Sequence, residues 1–254
     1  ILNESEIGLR SVYKKIKLKS TTHPSNCTLM NKLNTILFID FDSTFAQVET
    51  IDEIAKISLQ NDPDQKTKIQ LINKITNSAM SGEISFSQAL QDRLNILNLN
   101  SKHIELVINE VSNNISKSIK RNKKTIQLIS NNIWIISGGF TQVICPIVKE
   151  YGIKPERVIA NTFLLESGMV KGIDVNNPMS MDQGKIKAIN NLNINLKSVM
   201  IGDGYTDYEV YHNQASDYFI YYSENILRQE VASKSKFIAN SFEEVLDIIS
   251  KFKS

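Results

Sequence analysis

Apolar residues fall along this chain with two different periods. Short unbroken runs, Thr35-Ile-Leu-Phe-Ile39, Ile133-Trp-Ile-Ile136, Val158-Ile-Ala160 and Ser198-Val-Met-Ile201, are apolar on both faces and rich in β-branched residues. They predict strands buried on both sides, as in a parallel sheet. Across residues 51–119 the spacing changes to three and four, through Ile54 and Ile57, Ile69, Ile72, Ile75 and Ala79, Leu90, Leu94 and Leu97, then Ile104, Val107, Ile108 and Val111. This stretch predicts amphipathic helices with no strand among them. From residue 121 onward the two kinds of pattern alternate. Helices are predicted near 121–131, 140–151, 183–191, 206–214, 225–233 and 242–252, and strands near 133–136, 158–160, 198–201, 217–221 and 237–238. Gly152 reads as a helix C-cap, and Phe163 to Ile173 as a small hairpin turning at Ser167-Gly168.

Alternating strands and helices predict an α/β fold, a Rossmann-like parallel sheet flanked by helices. Residues 31–50 and 120–254 supply that core. The helical stretch 51–119 lies between the first strand and the rest, so it is expected to form an inserted cap over the sheet's carboxyl edge. Residues 1–30 carry Arg10, Lys14, Lys15, Lys17 and Lys19 before Pro24, and read as a polar, basic tail or linker.

Composition narrows the function classes. The 254 residues are enough for a substantial core. A net charge of +2 gives no reason to expect nucleic acid or an anionic membrane as partner. No apolar run approaches the ~20 residues of a membrane span. Cys27 and Cys145 lack metal-type spacing and fit a reducing, cytoplasmic setting. Cys145 follows Val143-Ile144 and is expected to be buried.

The chemistry sits where apolar runs end. Asp40 and Asp42 follow the first strand, and Gly202-Asp203-Gly204-Tyr-Thr-Asp207 follows a later one. Ligands of open α/β sheets bind beyond the carboxyl ends of such strands. If the two strands are neighbours, four carboxylates crowd together, and a pair ~4 Å apart repels by roughly 4 kcal/mol at an effective dielectric of 20. A divalent cation relieves this, and an all-oxygen cage with few protein ligands suits Mg²⁺. Asp40 and Asp42, two apart, can divide the work of covalent phosphoryl transfer: one attacks and the other moves a proton. Thr44 is expected to fix Asp42 or cap the following turn. Ser137-Gly138-Gly139-Phe140 follows a strand and is expected to open a helix, offering a hydroxyl and backbone amides to an anion. Lys185, in Asp182-Gln-Gly-Lys185, could neutralise phosphate and Asp40, with Lys187 as the alternative. Asp207 falls on the first turn of a helix, where an acid is favoured, and can also orient Lys185 or a metal-bound water.

These motifs, in this order, resemble those of the haloacid dehalogenase superfamily of phosphatases, over nearly all of residues 33–250. Asp40-Phe-Asp-Ser-Thr44, Glu49-Thr-Ile-Asp-Glu53 and the stretch Ala79-Met80 through Phe86 and Leu90 to Arg93-Leu94 are similar to the superfamily's phosphoserine phosphatase branch. Tyr205-Thr206 stand where many relatives carry a small residue and Asn. The resemblance implies Asp40 as nucleophile and Asp42 as general acid/base. It implies Mg²⁺ held by Asp40, the backbone carbonyl of Asp42, and Asp203. Ser137, Gly138 and Lys185 would bind phosphate. Glu49 would meet an amino group, Arg93 a carboxylate, and Met80 and Phe86 would line the pocket. The expected reaction is hydrolysis of O-phosphoserine, a small phosphorylated amino acid, through an aspartyl-phosphate. Another small phosphomonoester, phosphotransfer to an alcohol, and a non-catalytic phosphometabolite-binding module are the alternatives.

Overall fold

The structure is a computed structural model, and it describes residues 34–80 and 83–252. The tail expected over residues 1–30, with Cys27, lies outside the described residues. Among the described residues, six strands form a parallel sheet: β1 (Thr35–Ile39), β2 (Ile133–Phe140), β3 (Val158–Asn161), β6 (Lys197–Gly202), β7 (Tyr218–Tyr222) and β8 (Phe237–Ala239), in the order β3-β2-β1-β6-β7-β8. β1 lies centrally and pairs with β2 on one side and β6 on the other, Ile39 matching Ile135 and Ile201. The two strands that end in acidic motifs are therefore neighbours. All five residues of β1 are buried, as their apolar and β-branched composition requires when helices cover both faces.

Four helices occupy the stretch between β1 and β2 that shows three-and-four spacing: α1 (Thr50–Ser58), α2 (Gln65–Met80), α3 (Phe86–Ile96) and α4 (Ser101–Asn113). Ser85 caps α3 by accepting from Gln88 N at 3.2 Å, and Asn100 caps α4 by accepting from His103 N at 3.0 Å. Their apolar stripes join the larger core cluster, where Ile54, Val107 and Val111 are fully buried. The chain leaves for these helices and returns at one place. Gln47 N donates to Asn114 O at 2.7 Å and Ser116 N to Phe45 O at 3.0 Å, and Ala46 forms a β-bridge with Ile115.

The remaining helices are α5 (Lys117–Arg121), α6 (Lys123–Ile129), α7 (Thr141–Lys149), α8 (Gly184–Asn191), α9 (Tyr205–His212), α10 (Gln229–Ala232) and α11 (Phe242–Ile249). The hairpin β4 (Phe163–Glu166) and β5 (Met169–Ile173) turns at Ser167 and Gly168, both with positive φ, as the Ser-Gly pair predicts. It also holds the α3–α4 connection, Val170 N donating to Leu99 O at 2.9 Å and Ser101 N to Gly168 O at 2.8 Å.

Several boundaries depart from expectation. The helix predicted over 121–131 divides at Asn122. Ser137-Gly-Gly-Phe140 still belongs to β2, with a shift of register between Ile136 and Phe140, and the helix follows directly, with Phe140 as its N-cap and Thr141 its first residue. The helix predicted over 225–233 is only α10, because side chains hold residues 223–228 in an irregular path. Cys145 is free and half-buried rather than fully buried, since α7 leaves part of its surface open.

Leu37 stands at the centre of β1 with no exposure. Leu37→Ala is expected to cost about 2–5 kcal/mol. Leu128→Ala, at a residue 63% exposed, is expected to stay within about 0.5 kcal/mol. Urea unfolding followed by circular dichroism measures both.

Candidate active site

A cavity of about 540 Å³ opens where β1, β2 and β6 end. Core residues line one side, including Asp40, Asp42, Gly138, Lys185 and Asp203, while Thr76, Phe86 and Arg93 from α2 and α3 line the other.

The centre of the site is a buried ion triplet. Asp40, directly after β1, donates its backbone N–H to Ile201 O at 2.9 Å, which pins it to the end of β6. Its Oδ1 accepts from Phe41 N at 2.7 Å. Lys185 Nζ lies 3.0 Å from Asp40 Oδ2 and 2.6 Å from Asp207 Oδ1. Lys187 is exposed. Two glycines make this approach possible. A Cβ on Gly184 would lie 2.5 Å from Pro178 O, and a Cβ on Gly202 would lie 2.2 Å from Asp207 Oδ2. Asp207 Oδ2 also accepts from Gly204 N at 3.0 Å, closing the start of α9.

Asp42 does not turn its carboxylate into this group. Its Oδ1 accepts from Thr50 N at 2.9 Å and from the Thr50 hydroxyl, while Oδ2 faces Gly139. The chain then reverses at Ser43, which has φ 53°. Thr44 neither fixes Asp42 nor caps the turn. Its hydroxyl donates to Asp203 Oδ1 at 3.1 Å, because the reversal points it at β6. Ser137 is fully buried, and its Oγ accepts from Gly139 N at 3.0 Å. The Phe86 ring packs on Gly138, where an added Cβ would lie 2.9 Å from Cζ.

Arg93 is 7% exposed. Its Nε donates to Ala89 O at 3.0 Å and its Nη1 to Thr76 Oγ1 at 3.3 Å. Glu49, immediately before α1, accepts from Ser43 Oγ at 2.6 Å. Met80 closes α2, and its side chain lies outside the described residues. Arg228 joins the site without any sequence signal. Its Nε donates to Asp203 Oδ2 at 2.9 Å and its Nη2 lies 3.5 Å from Glu49 Oε1. No motif singles it out, and its segment read as an ordinary helix.

The electrostatics are frustrated. Burial, then the charge of Asp207, pushes the Asp40 carboxyl well above the usual carboxylate range, against the pull of Lys185. Burial and Glu49 raise Asp42 to about 7, against the Thr50 hydrogen bonds. Burial, Asp207 and Glu49 raise Asp203 to about 7, against Arg228. Burial lowers Lys185, but Asp207 and Asp40 outweigh it and hold the ammonium protonated. Asp40, Asp203 and Asp207 are all buried, and one carboxylate oxygen from each lies within 4.8 Å of the others. This hard, all-oxygen set fits a divalent cation. It includes Asp207 and not the Asp42 carboxylate.

The match to a family model agrees with this arrangement. The chain belongs to the haloacid dehalogenase-like hydrolases, whose model matches residues 37–212. Among its relatives is the phosphoserine phosphatase of Drosophila melanogaster, 32% identical over 217 residues, covering 83% of this chain and 76% of that one. The human phosphoserine phosphatase is 30% identical over 211 residues, covering 82% and 89%. The crystal structure of a phosphoserine phosphohydrolase-like protein from Francisella tularensis superposes with a TM-score of 0.74 at 32% identity, covering 85% of this chain and 99% of that one. No described helix is long and apolar enough to cross a membrane.

An acid whose folded-state pKa is raised, as for Asp203 from 3.8 to about 7, stabilises the fold below its unfolded value. That stability is lost as pH rises through its folded value. A divalent cation should therefore raise Tm more at about pH 8 than at about pH 5.5. Differential scanning fluorimetry with and without chelator reads the two increments. Gly202→Ala should abolish most of the cation-dependent increment at either pH, because its Cβ would displace Asp207.

Proposed function

We propose that this chain is a Mg²⁺-dependent phosphatase that hydrolyses O-phosphoserine through a phosphorylated Asp40. One observation carries the reading: a single cavity is lined by Asp40 and Lys185, by the opposite charges Glu49 and Arg93, and by Phe86. That suits a molecule with a phosphate at one end and a zwitterion at the other. The names of the Drosophila and human relatives support the substrate.

Asp40 Oδ attacks phosphorus, and the bond from phosphorus to the serine oxygen breaks. Asp42, whose carboxyl is pushed up to about 7 by burial and Glu49, gives a proton to the departing oxygen. Asp42 then takes a proton from water, whose oxygen attacks phosphorus; the Asp40–phosphorus bond breaks and phosphate leaves. Lys185 balances charge on Asp40 and on the phosphoryl oxygens, while the backbone amide at Gly138 offers a donor to those oxygens. Asp40 and Asp203, with Asp207 or the Asp42 carbonyl, would hold Mg²⁺, which would supply further neutralisation of the phosphoryl charge. Glu49 receives the substrate ammonium and Arg93 its carboxylate. Residues 51–119 act as a cap that excludes water from the cavity. A cytoplasmic setting belongs to the same proposal and rests on the chain's two lone cysteines, Cys27 and Cys145, which fit a reducing compartment.

Asp40→Asn is expected to reduce phosphate release from phosphoserine by about a thousandfold or more, with the circular dichroism spectrum retained. Arg93→Ala is expected to raise KM for phosphoserine about tenfold or more while leaving hydrolysis of a phosphomonoester without a carboxylate little changed. Steady-state assays of inorganic phosphate measure both. Equal activity of the Asp40→Asn protein rejects the nucleophile, and an unchanged KM removes Arg93 from the substrate site.

A further inference from the structure

Arg228 has no role in the chemistry above, yet it touches two acids of the site. Its Nε donates to Asp203 Oδ2 at 2.9 Å, and its Nη2 lies 3.5 Å from Glu49 Oε1. The same two carboxylates are tied from the other side by consecutive residues. Thr44 Oγ1 donates to Asp203 at 3.1 Å and Ser43 Oγ to Glu49 at 2.6 Å. One guanidinium and one reversed turn thus hold both acids.

The segment that presents Arg228 is braced. Tyr221 Oη, at the end of β7, accepts from Arg228 N at 2.5 Å and donates to Ile226 O at 3.2 Å. The Asn225 amide donates to Ser116 Oγ at 2.6 Å and to the Ser43 carbonyl at 3.1 Å. An exposed ion pair is worth little, because ordering two free side chains offsets its attraction. Here the backbone around the arginine is already fixed, and the side chain of Asp203 is 4% exposed. Much of the ordering cost is therefore met by the fold.

Asp203 belongs to the group suited to a divalent cation, and Glu49 is the group proposed for the substrate ammonium. Each awaits a positive ligand, and each already touches one positive charge. We infer that Arg228 is a positioning residue that serves as a resident countercharge, holding Asp203 and Glu49 in place in the unliganded protein and opposing cation binding at Asp203. The inference rests on the reading of those two residues given above. It demands effects of opposite sign. Loss of the charge leaves two acids uncompensated in the cation-free protein, and it removes a repulsion that a bound cation would otherwise feel. A merely structural arginine would weaken both folding and cation binding when removed.

The test compares wild type with Arg228→Gln, Arg228→Met and Arg228→Lys by calorimetric titration with Mg²⁺ and by thermal unfolding. Without divalent cation, the two neutral variants should show a Tm several degrees below wild type, and saturating Mg²⁺ should narrow that gap. Their Kd for Mg²⁺ should fall roughly three- to tenfold, while Arg228→Lys stays within about twofold of wild type. The methionine variant keeps the apolar stem, so it is read if the glutamine variant does not fold. A Kd that is unchanged or weaker in the neutral variant, or a Tm gap that Mg²⁺ leaves intact, overturns the inference. Neither measurement uses turnover. A wild type that binds Mg²⁺ without hydrolysing phosphoserine therefore rejects the substrate and leaves this result standing, whereas a wild type that binds no divalent cation overturns both.

Discussion

An ammonium group buried between two carboxylates is costly to build, and much of this protein's local structure exists to build it. Lys185 reaches Asp40 and Asp207 with almost no help from solvent. Removing any one of the three would leave unbalanced charge in a medium that tolerates it poorly. The geometry that permits the contact is equally strict. Gly184 lets α8 start against the Pro178 carbonyl, and Gly202 lets the Asp207 carboxylate lie over the end of β6. A buried ion group of this kind is weak evidence for stability. Its effect is to fix three charged atoms at the mouth of the sheet, where the fold would otherwise prefer none.

How much of this was legible in the sequence follows from which forces act locally. Strands buried on both faces leave a plain signature, so β1, β2, β3 and β6 fall where the apolar runs lie, and the three-and-four spacing of residues 51–119 becomes α1 to α4. Segments governed by side-chain contacts across the fold were not legible. Residues 225–233 have apolar positions compatible with a helix, yet Tyr221 and Asn225 bind the first part of this stretch into an irregular path, and only Gln229–Ala232 is helical. Ser137-Gly-Gly-Phe140 lies beyond the apolar run that marks β2, but pairing with β3 resumes at Phe140 and keeps it in the strand.

The same division runs through the site. The sequence could bring Asp40 and Asp203 together, because both follow central strands and a parallel sheet sends such ends to one edge. Where a side chain points once the strand has ended is decided by partners that no spacing reveals. Asp42 is turned toward Thr50, eight residues on. Thr44 bonds to Asp203, 159 residues away. Arg228 comes from a stretch with no motif and meets two acids that were each assigned a different partner. Long-range contacts of this kind make an active site specific, and they are the part that pattern reading alone could not supply.

The pairing of Ala46 with Ile115, flanked by the bonds from Gln47 to Asn114 and from Ser116 to Phe45, gives the chain a single doorway through which it departs from the sheet and comes back. Whatever lies beyond that doorway can grow, shrink or be exchanged during evolution while the six strands keep their register. The chemistry at the strand ends can thus be inherited unchanged while the helices on the far side are rewritten.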